Sequence, residues 1–139
     1  MDCPDQWLYE YAVIRYVPRI DREEFLNIGL IMMCKRRKWM KGEILLDESK
    51  IKNLSPAADI ASLSRQASMF ERKDLPFPEL PIEEKYRWLT AAKSAILQTS
   101  ASHPGVIIEG NEFDKAETAE YAESLLNREF DRLFSLLVK

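Results

Sequence analysis

Histidine occurs once in this chain of 139 residues, cysteine twice and glycine four times. His103 sits in a Ser-His-Pro-Gly turn, and Cys3 and Cys34 lie far apart, outside any CxxC spacing. Such a set does not match the ligand pattern of a structural zinc site. So few cysteines also point to a reduced, cytosolic compartment rather than a disulfide scaffold. The glycines at 29, 42, 105 and 110 are scattered and form no phosphate-cradling loop. GxSxG and HExxH are missing as well. The apolar run Ile28–Cys34 is far too short to cross a bilayer, and the opening Met1-Asp2-Cys3-Pro4-Asp5-Gln6 is too polar for a signal peptide. The expectation is a cytoplasmic protein without membrane contact, cofactor, metal or recognisable catalytic residue. Nothing here gives a positive reason to read an enzyme.

What is present is the composition of a folded domain. Apolar residues make up 46% and charged residues 31%, which excludes a disordered chain, and the length suits one core over residues 1–139. Leu8–Val17 is rich in aromatic and β-branched residues and reads as a strand stopped by Pro18. Phe25–Cys34 and Trp39–Asp47 read as the next two, with Lys35–Lys38 as the turn between them. These strands form a meander over about residues 7–47. Helical signals fill about 55–139. Ser55-Pro56 reads as a helix start, followed by Ile60, Leu63, Ala67 and Phe70 at helical spacing. A proline-rich linker over 73–82 comes next, then a second helix over about 83–99. Val106–Ile108 is a candidate short fourth strand. A third helix begins at an Asp114…Glu117 capping box and carries the stripe Ala119, Ala122, Leu126, Phe130, Leu133 and Leu137. The expected fold is α+β: a three-stranded antiparallel meander packed by three helices on one face.

Within the first hairpin a symmetric register pairs Val17 with Phe25, Arg15 with Asn27, Val13 with Gly29 and Tyr11 with Ile31. The turn at 35–38 would then set Gly29 beside Ile44 and Asn27 beside Leu46. Side chains alternate across a sheet, so Arg15, Asn27 and a gap at Gly29 fall on one otherwise apolar face. Glu24 stands at the strand entry. Arg15, Glu24, Asn27 and Gly29 form either a small ligand or enzymatic site, with the guanidinium offered to a carboxylate or phosphate, or an internally satisfied packing device.

Two further features carry charge. Lys35, Arg36, Arg37 and Lys38, followed by Trp39 and Lys41, join cations to an aromatic, a pattern suited to phosphates and bases. The overall charge of −3 favours a solvated hairpin tip instead. Acidic residues crowd the entry to the last helix, where carboxylates match the helix dipole. The strip Leu75-Pro76-Phe77-Pro78-Glu79-Leu80-Pro81 is readable as a docking segment, or as a linker lying on its own domain.

The stretch YAVIRYVPRIDREEFLNIGLIM resembles the opening of a bacterial family, the domain-of-unknown-function family 3037. The shared elements are Arg15-Tyr16-Val17-Pro18 and Glu24-Phe25-Leu26-Asn27-Ile28-Gly29. Gly105-Val106, Phe130-Asp131-Arg132-Leu133-Phe134 and Leu137-Val138 fit less specifically. The resemblance implies a bacterial cytosolic protein and transfers no catalytic residue. Neighbourhood of the family's genes with those of HipA-like kinases implies a companion role. The leading expectation is therefore a non-enzymatic interaction or accessory protein, with a HipA-like kinase as candidate partner. Nucleic-acid contact through 35–41 and a ligand site at Arg15, Glu24 and Asn27 are the alternatives.

Overall fold

The computed structural model describes residues 6–19, 24–71, 79–91, 96–108 and 119–139. Its strands are β1 (Gln6–Arg19), β2 (Glu24–Cys34), β3 (Trp39–Ile44), β4 (Leu97–Thr99) and β5 (His103–Ile108). Its helices are α1 (Glu48–Leu54), α2 (Ile60–Ala67), α3 (Ile82–Thr90) and α4 (Ala119–Leu137), with a 3-10 turn at Ser68–Phe70 after α2. The strands form one antiparallel sheet, ordered β3-β2-β1, with β5 and β4 sharing the far side of β1.

The fold is α+β as expected, with five strands and four helices among the described residues. Helices cover both faces of the sheet, not one. Trp7, Tyr9, Val13, Leu30, Met32 and Cys34 pack against Leu126, Phe130, Leu133 and Phe134 of α4. On the opposite face, Ala12, Ile14, Tyr16, Ile28, Ile31 and Met33 pack against Ile51, Leu63, Phe70, Tyr86 and Leu89. The cause is visible in β2: every residue from Ile28 to Cys34 is buried. Such a continuous apolar run needs cover on two sides.

The register explains the faces. Arg15 pairs with Asn27 and Gly29 with Ile44, as symmetry predicts, but Gly29 faces Ile14 and Ile31 faces Ala12. An extra residue in β2 near Ile28 forms a bulge, and side-chain parity flips across it. Val13 and Tyr11 thus keep to the α4 face, while Ile31, Ile44 and Leu46 join the other. The expected single face is split in two. A second irregularity falls between Tyr16 and Arg19, where Pro18 has no N–H for the ladder.

Three boundaries also differ from expectation. β3 stops at Ile44, and Asp47 caps α1, its carboxylate accepting from Lys50 N at 3.2 Å. Ser55 ends that helix rather than starting the next, which Asp59 caps by accepting from Ser62 N at 3.1 Å. Residues 97–99 are strand, not helix. β1 is long and exposes backbone groups beyond β5, and this segment fills them. Val17 N donates to Ile96 O at 2.7 Å and Ser100 N to Val13 O at 2.8 Å. Leu97 is buried against Tyr16's face. Sheet completion and burial outweigh a weak helix propensity there. The Asp114 capping box, Phe77 and most of the linker lie outside the described residues.

Candidate functional site

Asn27 and Gly29 stand where β2 bulges, and both face inward. The Asn27 side-chain amide donates to the Leu137 carbonyl at 3.0 Å. That oxygen belongs to the last turn of α4, where carbonyls have no partner within the helix. Asn27 therefore ties the sheet to the end of the C-terminal helix. Gly29 has no room for a side chain: a Cβ would stand 2.6 Å from Ile44 Cδ1 and 2.7 Å from the Glu43 carbonyl oxygen. Arg15 shares Asn27's face and not Gly29's, half-buried, with its guanidinium carbon 4.3 Å from the centre of the Phe25 ring. Glu24 stands opposite Arg19 across the hairpin. Arg15 and Asn27 are thus brought together on the α4 side, Gly29 turns to the opposite face against Ile14 and Ile44, and Glu24 sits at the mouth of the hairpin, so the expected four-residue grouping is divided by the bulge. Among the described residues, Arg15 Nε and Asn27 Oδ1 are buried without a hydrogen-bond partner.

The basic turn is only partly a solvated tip. Lys38 N donates to Lys35 O at 3.1 Å, and Lys38 takes a left-handed conformation, φ 50°. This is a four-residue hairpin loop closed by a left-handed residue. Arg37 turns back over the Trp7 ring, 4.1 Å from its centre. Lys41 donates to Asn127 Oδ1 at 3.1 Å and lies 4.7 Å above the Phe130 ring. Lys35 reaches Glu83 at 3.9 Å. Trp39 is half-buried against the α4-side core. Lys35, Arg36 and Lys38 remain exposed.

Beside this turn runs an open groove of about 570 Å³, between β3, the 3-10 turn, α3 and α4. Trp39, Met40 and Ile82 contribute apolar lining, Lys38, Lys41 and Lys85 cations, Glu71 and Glu123 carboxylates. A second depression of about 430 Å³ shares Lys38, Trp39 and Glu123 with it and continues past Arg36 and Arg37. Gly42 shapes the first groove, because a Cβ there would strike the Phe70 carbonyl. Only glycine lets the 3-10 turn close on β3. Sequence reasoning found the turn but missed Ile82, Lys85 and Phe70. They are distant in sequence, and the close approach at Gly42 was the one local signal for them.

Two hydrogen-bonded groups lie away from both regions. Tyr9 OH donates to Glu129 Oε2 at 2.7 Å, and Arg132 Nε donates to Glu129 Oε1 at 2.6 Å. The Arg132 guanidinium, with the tyrosine, holds the Glu129 carboxyl below its ordinary range, while burial pushes the Tyr9 phenol up. Tyr86 OH and Ser102 Oγ are hydrogen-bonded at 2.7 Å, and burial pushes the phenol up to about 12. His103 tilts against Tyr11, their rings 5.4 Å apart. Among the described residues no three His, Cys, Asp or Glu side chains gather as a metal site would need, and no helix is long and apolar enough to cross a membrane.

The architecture is that of an α+β domain whose antiparallel sheet is clad by helices on both faces. Residues 11–115 match the family described as "Protein of unknown function (DUF3037)", and the chain belongs to that family. The matched span holds the bulged hairpin, the basic turn and most of the groove, while α4 lies beyond it. No curated protein and no solved structure matches the chain.

Proposed function

We propose that this chain is a non-enzymatic accessory protein that works by binding another protein, through the concave surface beside its basic turn. The observation that carries the reading is the groove itself. Half-buried Trp39, on the α4 side, and Met40 and Ile82, on the opposite side, line it together with Lys38, Lys85, Glu71 and Glu123. Apolar side chains mixed with charged ones are what a protein contact offers, and tryptophan is prominent among the residues that carry binding energy. The inward-facing Asn27 and Gly29 support the same reading, since they serve packing at the other end of the hairpin.

A HipA-like kinase is the candidate partner that the family resemblance supplies. The test is size-exclusion chromatography of the chain with such a kinase at micromolar concentrations. Co-elution that weakens on Ile82→Asp is expected. Separate elution at those concentrations contradicts the proposal. A ligand site at Arg15 makes a different demand: Arg15→Ala would abolish binding of a small anion while leaving the melting temperature nearly unchanged.

A further inference from the structure

We infer that the groove accepts an extended, acidic and amphipathic segment of a protein partner, seating an apolar side chain between Trp39 and Ile82 and its carboxylates on Lys38 and Lys85. The inference rests on the accessory reading above and names the chemistry of the partner. Charge is the first argument. The chain carries −3 overall, yet Arg36, Arg37, Lys38, Lys41 and Lys85 line the groove and its adjoining depression, against two carboxylates, Glu71 and Glu123. Lys41 is held by Asn127 and by the Phe130 ring, and Lys35 leans to Glu83. Among the described residues Lys38 and Lys85 have no carboxylate partner. Lys38 is also held in place, because the turn's hydrogen bond and its left-handed backbone fix where its side chain starts. A preset cation loses less freedom on binding.

Shape is the second argument. The groove and the adjoining depression meet at Lys38, Trp39 and Glu123, which makes a continuous path from Ile82 and Lys85 round the Trp39 ring to Arg36. An extended segment of several residues fits such a path better than a compact ligand does. Nucleic acid fits less well, for two reasons. Glu71 and Glu123 stand in the lining, where they repel phosphates. Trp39 is partly occupied by the α4-side core, which leaves it a poor platform for base stacking. A peptide can set a neutral or basic residue opposite those carboxylates.

The test is selection of a displayed random dodecapeptide library on the full chain, in parallel with binding of a fluorescent twelve-nucleotide single-stranded DNA. The expected result is enrichment of peptides that combine two or more acidic residues with a large apolar one. Their affinity should fall at least tenfold in the double variant Lys38→Glu/Lys85→Glu, whose circular dichroism and melting temperature match the wild type. The single variant Ile82→Asp should weaken the same peptides independently of charge pairing. No enrichment, enrichment without acidic bias, or peptides indifferent to the charge reversal would each overturn the inference. So would DNA binding that the reversal removes while no peptide is selected. Kinase co-elution that persists unchanged in the double variant would leave the accessory reading standing and remove this one.

Discussion

Replacing Gly29 by alanine tests whether the bulged strand is a packing device. The new methyl would stand 2.6 Å from Ile44 Cδ1, 3.2 Å from Ile14 Cδ1 and 2.7 Å from the Glu43 carbonyl oxygen. The two isoleucine methyls can rotate away, at the expense of a well-packed layer. The carbonyl cannot, because β3 is held to β2 through the Gly29–Ile44 pairing and the Leu45 N to Ile28 O bond of 2.7 Å. Overpacking of this kind costs about 1–3 kcal/mol. Loss of glycine's freedom in the unfolded chain returns about 0.4–1 kcal/mol. The expected net destabilisation is about 1–2 kcal/mol, read by urea unfolding followed through tryptophan fluorescence, with a lower midpoint at unchanged slope. Adding Ile44→Val should recover part of the loss, a coupling between neighbours. It cannot recover all of it, since the carbonyl contact remains. Wild-type stability in Gly29→Ala would refute the packing argument.

Asn27→Ala removes the side-chain bond to the Leu137 carbonyl and should cost about 1 kcal/mol, with faster amide exchange at Val138 and Lys139. Lys38→Gly relieves a left-handed backbone at φ 50° and should raise the unfolding midpoint by the equivalent of up to about 1 kcal/mol; no gain would mean that the turn is unstrained. The Glu129 carboxyl is held below the usual carboxylate range by Arg132 and Tyr9. It therefore binds protons more weakly folded than unfolded, and its contribution is present above that range and lost as pH falls through the folded value. Melting temperatures of wild type and Glu129→Gln should differ at pH 6 and converge as the pH falls below the usual carboxylate range; a constant gap would contradict the assignment.

The parts of the fold legible in sequence were those written in local pattern. The three meander strands, the turn at 35–38 and the Arg15–Asn27 pairing follow from alternation and loop symmetry, and the apolar stripe of α4 follows from its period. What escaped was set by distant partners. The bulge at Ile28 flips side-chain parity, and alternation cannot show where that happens when Ile28–Cys34 carries no polar side chain to mark a face. Leu97–Thr99 became a strand because β1 has a vacant edge, a fact about a segment eighty residues away. The cap residues Asp47 and Asp59 were present in the sequence, but Ser55-Pro56 offered a competing signal between them. The groove depends on Gly42 meeting Phe70 and on α3 arriving beside β3, neither of which spacing alone reveals.

The most direct measurement is backbone amide exchange of the chain alone and with a saturating HipA-like kinase. Protection confined to Trp39–Gly42, Ile82–Lys85 and the turn at 35–38 is the predicted footprint. Protection centred instead on Arg15 and Asn27, or no change at any amide, would contradict a partner surface at the groove.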